Sequence, residues 1–181
     1  MSNLDIVGIG NALVDVSTFC KDSFLEQHEL AKGGMMLVDE EHSRLLYDQL
    51  NPTMECSGGS CGNTMAGFAS LSGDENTVSA AYVGKICDDH MGKIFRNDLR
   101  SMGVKFDTEP ELCKPATGRC LVLITPDAQR TMCTFLGAAT KLSPRDINPS
   151  VIQAAKVTYM EGYLFDPPDA QRAFVKACLL Y

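Results

Sequence analysis

Apolar and polar positions follow two different periods along this chain, and the changes of period mark its elements. The opening "LDIVGIG" is a short apolar run closed by glycine, which predicts a strand buried on both faces, as in a parallel sheet, ending near Gly10. "LVDVSTF" resumes extended character, and "KGGMMLVD" adds a short strand after a glycine turn. Asp39 then suits the N-cap of a helix carrying Leu45, Leu46 and Leu50, stopped by Asn51-Pro52. Thr64 to Leu71 predicts a helix of small residues and methionine, followed by a turn at "SGDEN" and a strand at "VSAAYVG". Asp88 or Asp89 caps the next helix, in which Met91, Ile94, Phe95, Leu99 and Met102 form one apolar stripe closed by Gly103.

"TGRCLVLIT" and "RTMCTFLG" flank "PDAQ" and predict a β-hairpin. Ser143-Pro144 and Asn148-Pro149 each set a capping residue before a proline suited to the first helical position. "VTYMEGYLF" predicts a strand, and "DAQRAFVKACLLY" an amphipathic helix that reaches the last residue with no stop signal. The order of elements predicts an α/β fold with a mostly parallel sheet and a small β appendage of the kind that covers a ligand.

Composition narrows the function. Sixteen basic and twenty-three acidic side chains give a net charge of −7 with no basic block, which argues against nucleic acid or an anionic membrane as partner. No apolar run approaches the ~20 residues of a membrane span, and the N-terminus lacks signal-peptide features, so a cytoplasmic location is expected. The eight cysteines include no Cys-x-x-Cys pair and several fall in apolar patterns, which predicts reduced, buried thiols. His28, His42 and His90 share no ligand spacing, and no structural metal is expected.

Three polar clusters interrupt the apolar pattern. In "GIGNALVD", Gly8 and Gly10 suggest a dinucleotide fingerprint, but Leu13 stands where its third small residue belongs and a strand rather than a helix is predicted next. Asn11 and Asp15 together offer the donor and acceptors that vicinal hydroxyls require, provided the chain curves near Gly10; alternatively they cap a turn and begin a loop. In "GGSCGN", Gly58 to Asn63, a tight loop enters a helix N-terminus and offers free N–H groups to an oxygen-rich ligand, unless close packing alone selects the glycines. Glu161 lies within an otherwise apolar strand; it either meets a ligand hydroxyl or sits at a solvated strand end.

These clusters, in this order and with a hairpin between the second and third, resemble the ribokinase-like (PfkB-type) carbohydrate and nucleoside kinases over nearly the whole chain. "GNALVD" looks nearest the adenosine kinase branch, and "AAYVGKICDDHMGKIFRNDLRSMGV" is similar to the family's strand, loop and helix ending in Gly-Val. The resemblance implies a ribokinase-like α/β fold with a β lid. It assigns substrate contacts to Asn11, Asp15, Gly58, Gly59, Ser60 and Asn63, and gives Glu161 the place of the acidic sugar contact of ribokinases, where adenosine kinases carry another residue. Lid segments are expected at about 13–19, 33–38 and 117–136, with Leu13, Met36, Leu123 and Phe135 packing either against substrate or in the core. Cys61 and Met65 depart from the family's small residues at those positions.

The Gly-Ala-Gly-Asp segment with the family's catalytic aspartate, the Asn-x-x-Glu motif and the ATP pocket do not occur within residues 1–181. The expectation is therefore an incomplete ribokinase-like domain over 1–181, a truncated or fragmentary substrate-binding portion with no catalytic residue in this chain and inactive alone. The whole enzyme would use ATP and Mg2+ to phosphorylate a primary hydroxyl of a sugar or nucleoside. A homodimer through the lid strands is a further expectation. The alternatives are a dinucleotide-dependent oxidoreductase and a non-catalytic sugar- or nucleoside-binding module.

Overall fold

The computed structural model describes residues 4–71, 78–112 and 114–181, so the turn expected at 72–76 lies outside the described residues. In chain order the elements are β1 (Leu4–Ile9), β2 (Leu13–Phe19), α1 (Asp22–Gln27), β3 (Met35–Leu37), α2 (Glu40–Asp48), β4 (Met54–Gly58), α3 (Ser60–Ser70) and β5 (Ala80–Val83). There follow α4 (His90–Ser101), β6 (Val104–Phe106), β7 (Gly118–Ile124), β8 (Arg130–Phe135), α5 (Pro149–Ala154), β9 (Ala155–Met160) and α6 (Pro168–Leu180).

β1 is apolar on both faces because both are covered. Its sheet has the order β6-β5-β1-β9 with every pairing parallel. Val7 and Ile9 point into a core shared with Ile152 of α5 and with Ala170, Ala173 and Phe174 of α6. Tyr82 of β5 points the other way, against Met65 of α3 and Phe95 and Leu99 of α4. Tyr82, Phe95 and Phe106 form a triangle of rings with centroids 5.5 Å apart, two of the three contacts edge-on.

The β appendage is larger than the hairpin pattern suggests. It is a five-stranded sheet of order β3-β8-β7-β2-β4, and it gathers all three segments expected as lid together with β4, which the sequence pattern did not reveal. β7 and β8 are the expected antiparallel hairpin. One face of this sheet, carrying Val14, Val16, Leu121, Leu123 and Cys133, continues the α3–α4 core.

The caps agree with the sequence. Asp39 accepts the His42 N–H, Asp89 accepts the Gly92 N–H, and Asn148 accepts the Ser150 N–H. Ser143 and Asp146 form a reciprocal capping box around Pro144. One boundary differs: the strand expected across 157–165 stops at Met160, and Gly162–Leu164 form a 3-10 turn.

Candidate ligand site

Ligands of open parallel sheets bind beyond the carboxyl ends of the strands, and here those ends collect the polar clusters. β1 and β9 are parallel neighbours, so Gly10-Asn11 and Glu161 leave the sheet side by side, tied by the Glu161 N–H donating to the Ile9 carbonyl at 2.9 Å. The chain breaks between β1 and β2 at residues 10–12. This is the bend that the Asn11–Asp15 spacing demands, and because β2 follows it directly, β1 does not run into a helix as the first strand of a dinucleotide fold does.

Glu161 is buried to 4 % exposure, so it is not at a solvated strand end, and its oxygens accept N–H groups of the protein. Oε2 accepts the Asn11 N–H at 2.6 Å and Asn11 Nδ2 at 3.2 Å, while Oε1 accepts the Cys61 N–H at 3.2 Å. Cys61 N is one of the N–H groups left over at the start of α3, whose N-cap, Gly59, has no side chain to satisfy it. A carboxylate from β9's end therefore caps α3 and favours its positive terminus. A Cβ on Gly10 would come within 2.8 Å of Glu161 Oε2, so glycine there is a packing requirement. Cys61 is fully buried beside this carboxylate; burial first, and the Glu161 charge second, push its thiol far above the ordinary range, so it is a packing group and not a nucleophile.

Asp15 contrasts with it. Its carboxyl group leans over Gly58, where any Cβ would collide with it, so this glycine makes room for a carboxylate. No protein donor among the described residues meets that carboxylate, and burial raises its pKa above the ordinary 3.8. In the cross-strand register Asp15 sits between Cys56 of β4 and Cys120 of β7. Burial, and after it the Asp15 charge, push both thiols up, with a Thr134 hydroxyl bond partly countering this at Cys120.

Gly59 has φ +76° and lies against the Asn11 carbonyl, at 2.8 Å from where its Cβ would be. The diglycine bend thus touches both the Asn11 backbone and the Asp15 side chain. Asn11 Oδ1 is buried and has no hydrogen-bond partner among the described residues. Ser60 and Asn63 are exposed on the first turn of α3, where the Asn63 N–H donates to the Gly59 carbonyl.

Strand register divides the residues named for the lid. Leu13 is paired with Gly58 and shares the Asp15 face. Met36, Leu123 and Phe135 have the opposite parity: Val14 pairs with Arg119, Arg119 with Phe135, Thr18 with Leu123, and Met36 with Cys133. That is the core-facing side, where Leu123 is fully buried. The register places Leu37, Cys120 and Thr134, which the sequence reading did not name, on the Asp15 face. A groove of about 440 Å³ runs past Leu37, Pro115, Thr134 and Phe135, so Phe135 borders it despite its parity.

Comparison with known proteins supports the family and the fold. The sequence profile of the pfkB family carbohydrate kinases matches residues 36–180. The chain is 30% identical over 168 residues to adenosine kinase of Dictyostelium discoideum, covering 90% of this chain and 48% of that protein. It is 26% identical over 165 residues to guanosine-inosine kinase of Escherichia coli K12, covering 88% and 37%. Among solved structures, adenosine kinase from Sinorhizobium meliloti superposes with a TM-score of 0.87 at 45% identity, covering 98% of this chain and 53% of that one. A probable sugar kinase from Rhizobium etli does so with a TM-score of 0.88 at 42% identity, covering 99% and 53%. The chain spans about half the length of the relatives it matches.

Proposed function

Because the chain belongs to the pfkB family of carbohydrate kinases, we propose that it is the substrate-binding portion of a nucleoside kinase, with the ribose hydroxyls held by Asp15 and Asn11. The observation that carries this reading is the Asp15 carboxylate, half-buried, without a donor among the described residues and seated on Gly58 beside a buried Asn11 Oδ1 that likewise has none among them. Two acceptors without donors suit the two O–H groups of a vicinal diol. Gly58 and Gly59 let backbone approach the ring, and Ser60 and Asn63 supply further polar contacts.

A nucleoside is favoured over a free sugar for two reasons. Glu161, the residue that would grip a sugar, is consumed by Asn11 and Cys61. The Asp15 face also offers Leu13 and an exposed Leu37 to an apolar base. The five-stranded sheet acts as a lid that excludes water from the bound ligand. Its exposed Phe19, Met35 and Met54 also support lid-to-lid contact in a homodimer, which sedimentation velocity would test.

In the complete enzyme ATP and Mg2+ would supply the phosphoryl group and neutralise its charge. The residues present do not fit these groups. The start of α3 holds the Glu161 carboxylate, and no cluster of metal-ligating side chains occurs among the described residues. Phosphoryl transfer by this chain alone would count against the reading. Free thiols at Cys20, Cys56, Cys61, Cys120, Cys133 and Cys178 support a reducing, cytoplasmic setting.

Isothermal titration tests the reading. Adenosine should bind more tightly than ribose or fructose, and NAD should not bind. Binding of NAD, or no preference for adenosine over the sugars, would overturn it.

A further inference from the structure

The diglycine bend is held from behind by α4. β4 is the last strand of its sheet, so its outward N–H groups face no partner strand. One of them is satisfied from elsewhere: Ser57 N–H donates to Asp98 Oδ2 at 2.7 Å. Asp98 stands on α4 between Phe95 and Leu99, both fully buried, so the backbone that carries its carboxylate is fixed in the core. The same helix meets the far side of the bend, since a Cβ on Gly62 would lie 3.6 Å from the Phe95 ring. α4 therefore brackets the bend, at Ser57 just before Gly58 and at Gly62 shortly after Gly59. Its N-cap does the same for a second strand root: Asp89 accepts the Thr117 N–H at 2.8 Å and the Thr117 hydroxyl at 2.7 Å, where β7 begins.

We infer that Asp98 is a positioning residue for the ligand site: through the Ser57 N–H it sets where Gly58 stands beneath the Asp15 carboxylate, without touching the ligand. An edge strand held by a single ladder frays readily, and a charge-assisted bond on its open side restrains it. The consequence for ligand rests on the assignment of Asp15 and the diglycine to nucleoside binding; the restraint of β4 does not.

Amide hydrogen exchange and adenosine titration on the 181-residue chain test both parts. Asp98→Ala should raise exchange at residues 56–60 and weaken adenosine binding, each about ten-fold, while β1 and β5 exchange as before. Asp98→Asn, which keeps an oxygen acceptor at the same reach, should recover most of both. Asp98→Glu, which moves the carboxylate by one methylene, should respond in between and serves if the alanine variant does not fold.

Unchanged exchange at 56–60, or a rise spread equally over β1 and β5, overturns the inference. So does a local rise with unchanged adenosine affinity. If the unsubstituted chain binds no adenosine, the nucleoside reading fails, while a local rise in exchange still supports Asp98 as the anchor of the bend.

Discussion

Glu161 and Asp15 are two carboxylates at one end of one fold, and they spend their charge differently. Glu161 is sealed in and accepts three N–H groups, from the Asn11 backbone, the Asn11 side chain and the start of α3. Asp15 rests on the diglycine bend with no donor from the described protein. A buried acceptor that the protein satisfies builds architecture; one left open invites a ligand. The distinction reverses the ranking that residue type suggests, since Glu161 in an apolar segment looks more anomalous than Asp15 in an alternating strand.

The largest break in this contrast should come from Glu161→Ala, which strands three buried donors. We expect a loss of about 3–5 kcal/mol and a fall in Tm of roughly 6–20 °C, read by circular dichroism. A variant that melts with the parent would mean that the Glu161 socket does not hold β1, β9 and α3 together.

Leu123→Ala and Leu37→Ala sharpen the division of the five-stranded sheet into two faces. The first opens a cavity in a fully buried position and should cost about 3 kcal/mol. The second removes an exposed side chain and should cost less than about 0.5 kcal/mol while weakening adenosine binding. Equal stability losses in urea unfolding would contradict the register.

Gly58→Ala drives a methyl group into the Asp15 carboxyl group. It should destabilise by about 1–3 kcal/mol and remove adenosine binding, and Asp15→Ala in the same chain should restore the lost stability.

The smallest effect on stability, and the most telling in its sign, belongs to Asp15→Asn. Burial raises the Asp15 pKa above 3.8, so the folded chain keeps a proton that the unfolded chain has already released. The folded state is favoured at the acid end of that window and loses this contribution as pH rises from 3.8 through the raised folded value. Asp15→Asn should flatten that slope and leave the chain at neutral pH at least as stable as the parent. A loss of stability there would show that Asp15 has a protein partner after all.

Much of the fold was legible because its signals are local. Asp39, Asp89 and Asn148 cap the helices at which their types and positions pointed, and the apolar stripe through Phe95 and Leu99 faces the core. β4 was not legible: "MECSG" carries neither alternation nor β-branched residues and becomes a strand through its pairing with β2. Which way each lid residue faces was not legible. Successive side chains of a strand point to opposite faces, so a shift of one residue selects the other side. Of the residues expected to pack on substrate or in the core, Met36, Leu123 and Phe135 take one parity and Leu13 shares that of Asp15. Which face is covered depends on α3 and α4, distant in sequence from β7 and β8. Glu161 was visible as an anomaly, but its partners lie about 100 and 150 residues away, beyond the reach of any local pattern.

The most direct test is a titration of adenosine into the parent chain and Asp15→Asn at neutral pH, with the melting temperature of each recorded alongside. The account predicts measurable binding by the parent, at least about ten-fold weaker binding by the variant, and no fall in Tm. Equal affinity in the two chains would contradict it, because the open carboxylate would then hold nothing.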